Sequence, residues 1–213
     1  MADDCPTPTK ACQQPGHSVL RASVVTSLSG SWCCGIFPNF SSTRGRDELA
    51  SKTLDGKPLD LAARPGWKVV YFWSATCPCV RACESFTLVP LARRYRGQVS
   101  FYAVASNGYD LDLSSDCLAR QVQQHHLPFP VLWDGQHRAA RALDARVTPQ
   151  AFLLDPQNHV VFAGVPDDSR RYEAQNGCWG VSKTYLAQAI DQALAGQPVT
   201  VPAVKDQGCI IAW

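Results

Sequence analysis

Three cysteines, Cys77, Cys79 and Cys83, stand within the run FWSATCPCVRAC, where a stretch of strand-forming residues gives way to one with helical spacing. A thiol between a buried strand and the first turn of a helix receives the partial positive charge of unpaired helix N–H groups, which favours thiolate over thiol. Cys77 occupies that position. A thiolate there can attack a disulfide or a peroxide, and a second thiol within reach can resolve the product. Cys79 is the nearest second thiol; a bond between it and Cys77 would close a small ring and be comparatively easy to reduce. Cys83 lies four residues past Cys79 on the same helix face, where it can resolve a mixed disulfide, complete a three-sulfur metal site, or simply pack as a small helix residue.

The elements that must position these thiols can be read from periodicity. Thr53–Ala62 carries an Asp55-Gly56 turn signal between apolar residues and predicts a hairpin. Trp67–Trp73 is a continuous β-branched and aromatic run, expected as a central strand buried on both faces. Pro78 suits a first helical position, and helical spacing continues to Tyr95. Pro90 removes one internal hydrogen bond, so a kink is expected near Phe86. Val99–Ser106 predicts a second buried strand, Ser115–His126 a helix carrying Cys117, Phe129–Asp134 a shorter strand and His137–Leu143 a short helix. Ala151–Asp155 and His159–Gly164 flank the turn PQN as an antiparallel pair, and Ser182–Ala195 predicts a last amphipathic helix. Alternation followed by a hairpin and a helix gives an α/β class: a central mixed sheet flanked by helices. The run VTP, Val147–Pro149, precedes the strand at Ala151; a proline at the start of a strand marks a special turn, often with a cis bond.

From about Thr53 onward the chain resembles the redoxin branch of the thioredoxin superfamily, which includes AhpC/TSA-type peroxiredoxins and TlpA- and ResA-like thiol oxidoreductases. The residues that carry the resemblance are ATCPCVRA at 75–82, SN at 106–107, HLPFPVLWD at 126–134, RVTPQAFLLD at 146–155, VPDD at 165–168 and AGQPVTVPAVKDQGCI at 195–210. It is most similar to bacterial redoxin proteins with a CPC active-site run. The resemblance implies a thioredoxin-like fold, a Thr148–Pro149 cis bond facing the cysteines, and thiol redox chemistry. Two departures stand out. Val80 occupies the place of the second cysteine of a CxxC pair, so Cys79 must substitute for it. Val70 occupies the place of the peroxiredoxin proline, although Ser74 fits that motif's hydroxyl position.

The resulting organisation is an irregular, Cys-containing N-terminal arm at 1–50, rich in Ser, Thr, Pro and Gly; a thioredoxin-like redoxin domain at 51–196; and a tail at 197–213 that carries Cys209. Ten cysteines in 213 residues point to an oxidising compartment, and with the family likeness to a periplasmic or otherwise exported protein whose signal peptide is not part of this chain. Twenty Lys and Arg against eighteen Asp and Glu, with no basic block, make nucleic acid an unsuitable partner. No apolar run approaches the roughly eighteen residues of a membrane span. The expected partners are protein thiols or disulfides, or a reductase. No organic cofactor is implied, because neither a dinucleotide-binding glycine fingerprint nor a phosphate loop is present.

The leading expectation is therefore a thiol-disulfide oxidoreductase working through the CxCxxxC motif, with Cys77 as nucleophile, Cys79 or Cys83 as resolving thiol, and Thr148 and Pro149 shaping the groove. Two alternatives are a thiol peroxidase and a Cu(I)-binding protein. In the copper reading Cys77, Cys79 and Cys83 ligate the ion, Cys209 folds back to add a sulfur, and Cys33 with Cys34 form a second site. Cys178 and Cys209 each adjoin a glycine, where a backbone can approach a site. His125 and His126 end a helix and are expected to complement its dipole.

Overall fold

The computed structural model of the chain describes residues 49–212, apart from 55, 112–114, 203 and 205–207. The expectations placed on the N-terminal arm, including those for Cys33 and Cys34, lie outside the described residues.

The predicted hairpin forms as β1 (Ala50–Thr53) and β2 (Pro58–Asp60) in antiparallel register. Gly56, at φ 83°, provides the left-handed turn between them, a conformation that costs little without a Cβ. β3 (Trp67–Trp73) has the predicted bounds. It pairs in parallel with β4 (Val99–Ala105) and antiparallel with β7 (Gln150–Leu154). β5 (Val131–Trp133) lies beside β4, and β8 (Val160–Gly164) beside β7, giving the order β2-β1-β5-β4-β3-β7-β8.

Strand alternation divides β3 between two cores, because successive side chains point to opposite faces. Val69, Tyr71 and Trp73 face a cluster that includes Leu91, Tyr95, Leu118, Leu186 and Ile190. Val70 and Phe72 face another, with Leu49, Leu61, Ala139, Leu143 and Ile211. Helices cover both: α4 (Ser115–His125) and α7 (Tyr185–Leu194) contribute to the first, and α5 (Arg138–Ala142) to the second. Burial on both faces is why β3 reads as one unbroken apolar run.

The helix after β3 is not uniform. α1 (Pro78–Cys83) passes into a π turn (Glu84–Leu88) and then α2 (Val89–Arg94). Pro90 has no N–H and its ring crowds the carbonyl four residues earlier, that of Phe86; a wider turn there absorbs both effects. The expected kink is thus a π turn. Three elements had no counterpart in the sequence reading: α3 (Gly108–Leu111), α6 (Ser169–Asn176), and a small second sheet in which β6 (Val147–Thr148) pairs with β9 (Cys209–Ile210).

Candidate active site

Cys77 sits at the N-cap of α1 with extended backbone (φ −86°, ψ 116°), and its carbonyl accepts from the amides of Val80 at 3.1 Å and Arg81 at 3.4 Å. No side chain caps the helix, and Pro78 occupies its first turn. Cys77 therefore stands at the positive end of the helix dipole, the electrostatic position that favours a thiolate. The residue is 2% exposed.

The opposite wall is the Thr148–Pro149 turn, whose peptide bond is cis. Gln150 holds the approach to it: its Oε1 accepts from the Arg146 amide at 2.8 Å. The Cys77 sulfur lies 3.3 Å from the Thr148 carbonyl oxygen. The C-terminal tail completes the site. Cys209 is opposite Thr148 in the β6–β9 ladder and is disulfide-bonded to Cys77, with 6.3 Å between their Cα atoms across a sequence separation of 132. The Cys79 sulfur joins them, the three sulfur atoms lying within 4.8 Å of one another. Among the described residues this is the group of His, Cys, Asp and Glu ligand atoms that converges closely enough to hold an ion.

Cys83 is not part of that trio. It is fully buried, and its thiol is pushed well above the ordinary cysteine range by that burial and then by the Asp167 carboxylate to which it donates, with Glu84 adding to the effect. Burial among acidic groups holds it as a thiol, so the helix face that aligns it with Cys79 does not bring it to the surface of the site. Cys178 is half-buried in a segment after α6. Cys117 is buried and disulfide-bonded. His125 does not serve as a helix-end charge in solvent: it is buried, its Nδ1 pairs with Glu84, and its ring meets Trp73 edge-on at 5.4 Å. Glu84 also accepts from Trp73 Nε1 at 2.7 Å, so this buried pair anchors the start of the π turn to β3.

Sequence reasoning did not single out Asp110. Its carboxylate is fully buried behind the Ser74–Thr76 loop, and Oδ1 accepts from the Ala75 amide at 3.0 Å, two residues before Cys77. Burial raises its pKa to about 6 against the opposing donors of Ser74, Ala75 and Thr76 and the charge of His125. The signal was weak but present, since SNGYD is a polar cluster at the carboxyl end of a buried strand, where sites in α/β sheets form. Because the folded-state value exceeds the unfolded one, the group's contribution favours folding below about pH 4 and is lost as pH rises toward 6. At about 1.4 kcal/mol per pH unit the loss is on the order of 3 kcal/mol. Asp110→Asn keeps an acceptor for the Ala75 amide and removes the charge. Urea denaturation at pH 4 and pH 7.5 is expected to show the variant gaining stability on wild type only at the higher pH; equal curves at both would dissociate Asp110 from the effect.

Residues 36–163, more than half of the chain, match the AhpC/TSA family. The chain belongs to this family. It is accordingly a redoxin-branch member of the thioredoxin superfamily, with the mixed sheet and flanking helices described above. Among solved structures it is similar to an uncharacterised conserved protein from Geobacillus kaustophilus, at 30% identity and a TM-score of 0.66 over 78% of this chain and 88% of that one. It is also similar to a hypothetical protein from Sinorhizobium meliloti, at 28% identity and a TM-score of 0.67 over 77% of this chain and 90% of that one. No curated protein matches the chain significantly. Among the described residues no helix is long and apolar enough to cross a membrane.

Proposed function

We propose that this AhpC/TSA-family protein is a thiol-disulfide oxidoreductase with Cys77 as its nucleophile and the Cys77–Cys209 pair as its redox couple. One observation carries the reading: the cysteine at the helix start is already bonded to a second cysteine, with a third sulfur in exchange range. In the reducing direction the Cys77 thiolate attacks one sulfur of a substrate disulfide. A new bond joins Cys77 to the substrate, and the other substrate sulfur leaves as a thiolate. Cys209 or Cys79, as thiolate, then attacks the Cys77 sulfur and expels the second substrate thiolate. Two electrons have passed to the substrate, and a protein dithiol or reductase must restore the couple. Oxidation of a substrate dithiol is the same sequence reversed. Thr148 and Pro149 shape the groove, and Cys83 is a packing thiol. Ten cysteines and the Cys77–Cys209 bond support an exported location. Differential alkylation with and without reductant, read by peptide mass spectrometry, tests the reading: Cys77 is expected to be reversibly linked to Cys209, and a Cys77 that stays alkylatable after mild oxidation would end it.

The convergence of three sulfurs also supports a second reading, a soft-metal site for Cu(I), which prefers thiolates. It requires the disulfide to be reduced, since thiolates are the ligands, and it draws on Cys77, Cys79 and Cys209 in place of Cys83. Fully reduced protein is expected to retain Cu(I) against a strong chelator and to lose it on Cys77→Ser with Cys79→Ser. Equal retention by wild type and the double variant would remove this site.

A further inference from the structure

We infer that the tail is a tethered copy of the substrate, and that the groove it fills selects polypeptide segments of the form Gly-Cys-X-apolar; this rests on the redox reading above and names its substrate class. Each position of the tail meets a different constraint. A Cβ on Gly208 would stand 2.4 Å from the Thr148 carbonyl oxygen and 2.9 Å from its carbon, closer than any side chain tolerates, and the obstacle is backbone that cannot swing away. The residue before the cysteine must therefore be glycine. Cys209 runs antiparallel to Thr148, with its sulfur bonded to that of Cys77. Ile210 is 77% exposed, so its position selects nothing, while its carbonyl accepts from Asn107 Nδ2 at 3.2 Å. Ile211 is 3% exposed and lies in the second core with Leu49, Phe72 and Val104. Its amide donates to the Arg146 carbonyl at 2.9 Å, and the Ala212 carbonyl accepts from the Gly108 amide at 2.8 Å.

Backbone contacts thus recognise any extended chain, whereas side-chain space discriminates at two positions, the residue before the cysteine and the second one after it. Once Cys77–Cys209 is reduced and the tail leaves, the same contacts are available to a foreign segment. The Cys77 thiolate attacks the segment's cysteine in its disulfide, the bond to Cys77 forms, and the disulfide's other sulfur departs as a thiolate. Return of the tail, with Cys209 attacking Cys77, displaces the segment as a thiolate and closes the cycle.

The test uses the reduced full-length protein and four short acetylated peptides, each carrying glutathione in disulfide linkage on its cysteine: Gly-Cys-Lys-Ile, Val-Cys-Lys-Ile, Gly-Cys-Lys-Asp and Gly-Cys-Glu-Ile. Second-order rate constants for glutathione release, the leaving group when Cys77 attacks the peptide sulfur, are compared with that for glutathione disulfide. The Val and Asp peptides are expected to react at least tenfold more slowly than Gly-Cys-Lys-Ile, and the Glu peptide within threefold of it. Normal reaction with glutathione disulfide but less than tenfold discrimination among the peptides overturns this inference and leaves the oxidoreductase reading standing. No reaction with glutathione disulfide overturns both. A second measurement needs no foreign peptide: Gly208→Ala is expected to shift the Cys77–Cys209 equilibrium against glutathione at least tenfold toward the dithiol. An unchanged equilibrium overturns the inference as well.

Discussion

Cys77→Ser protein, assayed while folded, is expected to reduce a small disulfide at least about a thousandfold more slowly than wild type. A serine hydroxyl remains protonated at neutral pH even at a helix N-terminus, so the nucleophile is lost while the shape of the site is kept. Cys79 is the nearest replacement, but it lies two residues inside the helix rather than at its N-cap. The companion variants separate the roles. Cys209→Ser with Cys79→Ser retains the attacking thiol but neither resolving thiol and should accumulate a mixed disulfide on Cys77, visible as a mass increment removed by reductant. Cys79→Ser should turn over through Cys209 at a rate within about tenfold of wild type. Activity of Cys77→Ser close to that of wild type, measured on protein of native circular dichroism, would move the nucleophile elsewhere.

The second large effect is on stability. The Cys77–Cys209 bond spans a sequence separation of 132, and cross-linking a loop of that size restricts the unfolded chain by about 5 kcal/mol on the chain-entropy account. Oxidised Cys209→Ser is therefore expected to melt about 10–20 °C below wild type, using about 2–4 °C per kcal/mol for a domain of this length. The variant is a better probe than reductant, because reductant also opens the disulfide at Cys117. Cys79→Ser keeps the bond and should stay within a few degrees of wild type. Calorimetry decides the matter. A Cys209→Ser melting temperature indistinguishable from wild type would mean that the tail makes no net contribution to holding the fold.

These effects were unequally legible in the sequence. β3 and β4 could be read because a central strand carries apolar residues on both faces, leaving an uninterrupted run. Pro90 gave the place of the helix irregularity, though not that it would be a π turn. α6 was not legible: SRRYEAQN has no apolar stripe to repeat. β6 and β9 have two residues each, too few for any period to show. Cys77 was identifiable from its neighbours alone, and the glycine beside Cys209 marked that cysteine as one that could fold back to the site, but its bond to Cys77 across a separation of 132 leaves no local trace. Cys83 shows the converse limit: helical spacing put it on the correct face, but the carboxylate of Asp167 that fixes its protonation comes from a distant segment. His125 ends α4 as expected, but its buried partner Glu84, 41 residues away, was not legible for the same reason.

The brevity of β6 bears on how long any complex can last. The strand offers two residues, Val147 and Thr148, and the next residue, Pro149, has no N–H with which to continue the ladder. At about 1 kcal/mol net per hydrogen bond, backbone pairing of that length contributes only a few kcal/mol. Before the cost of association, that corresponds to dissociation constants of about a millimolar or weaker. The ladder alone therefore holds a partner weakly, and the sulfur–sulfur bond and the buried position of Ile211 supply the rest. On the redox reading, residence time is then governed more by exchange of that sulfur–sulfur bond than by strand pairing.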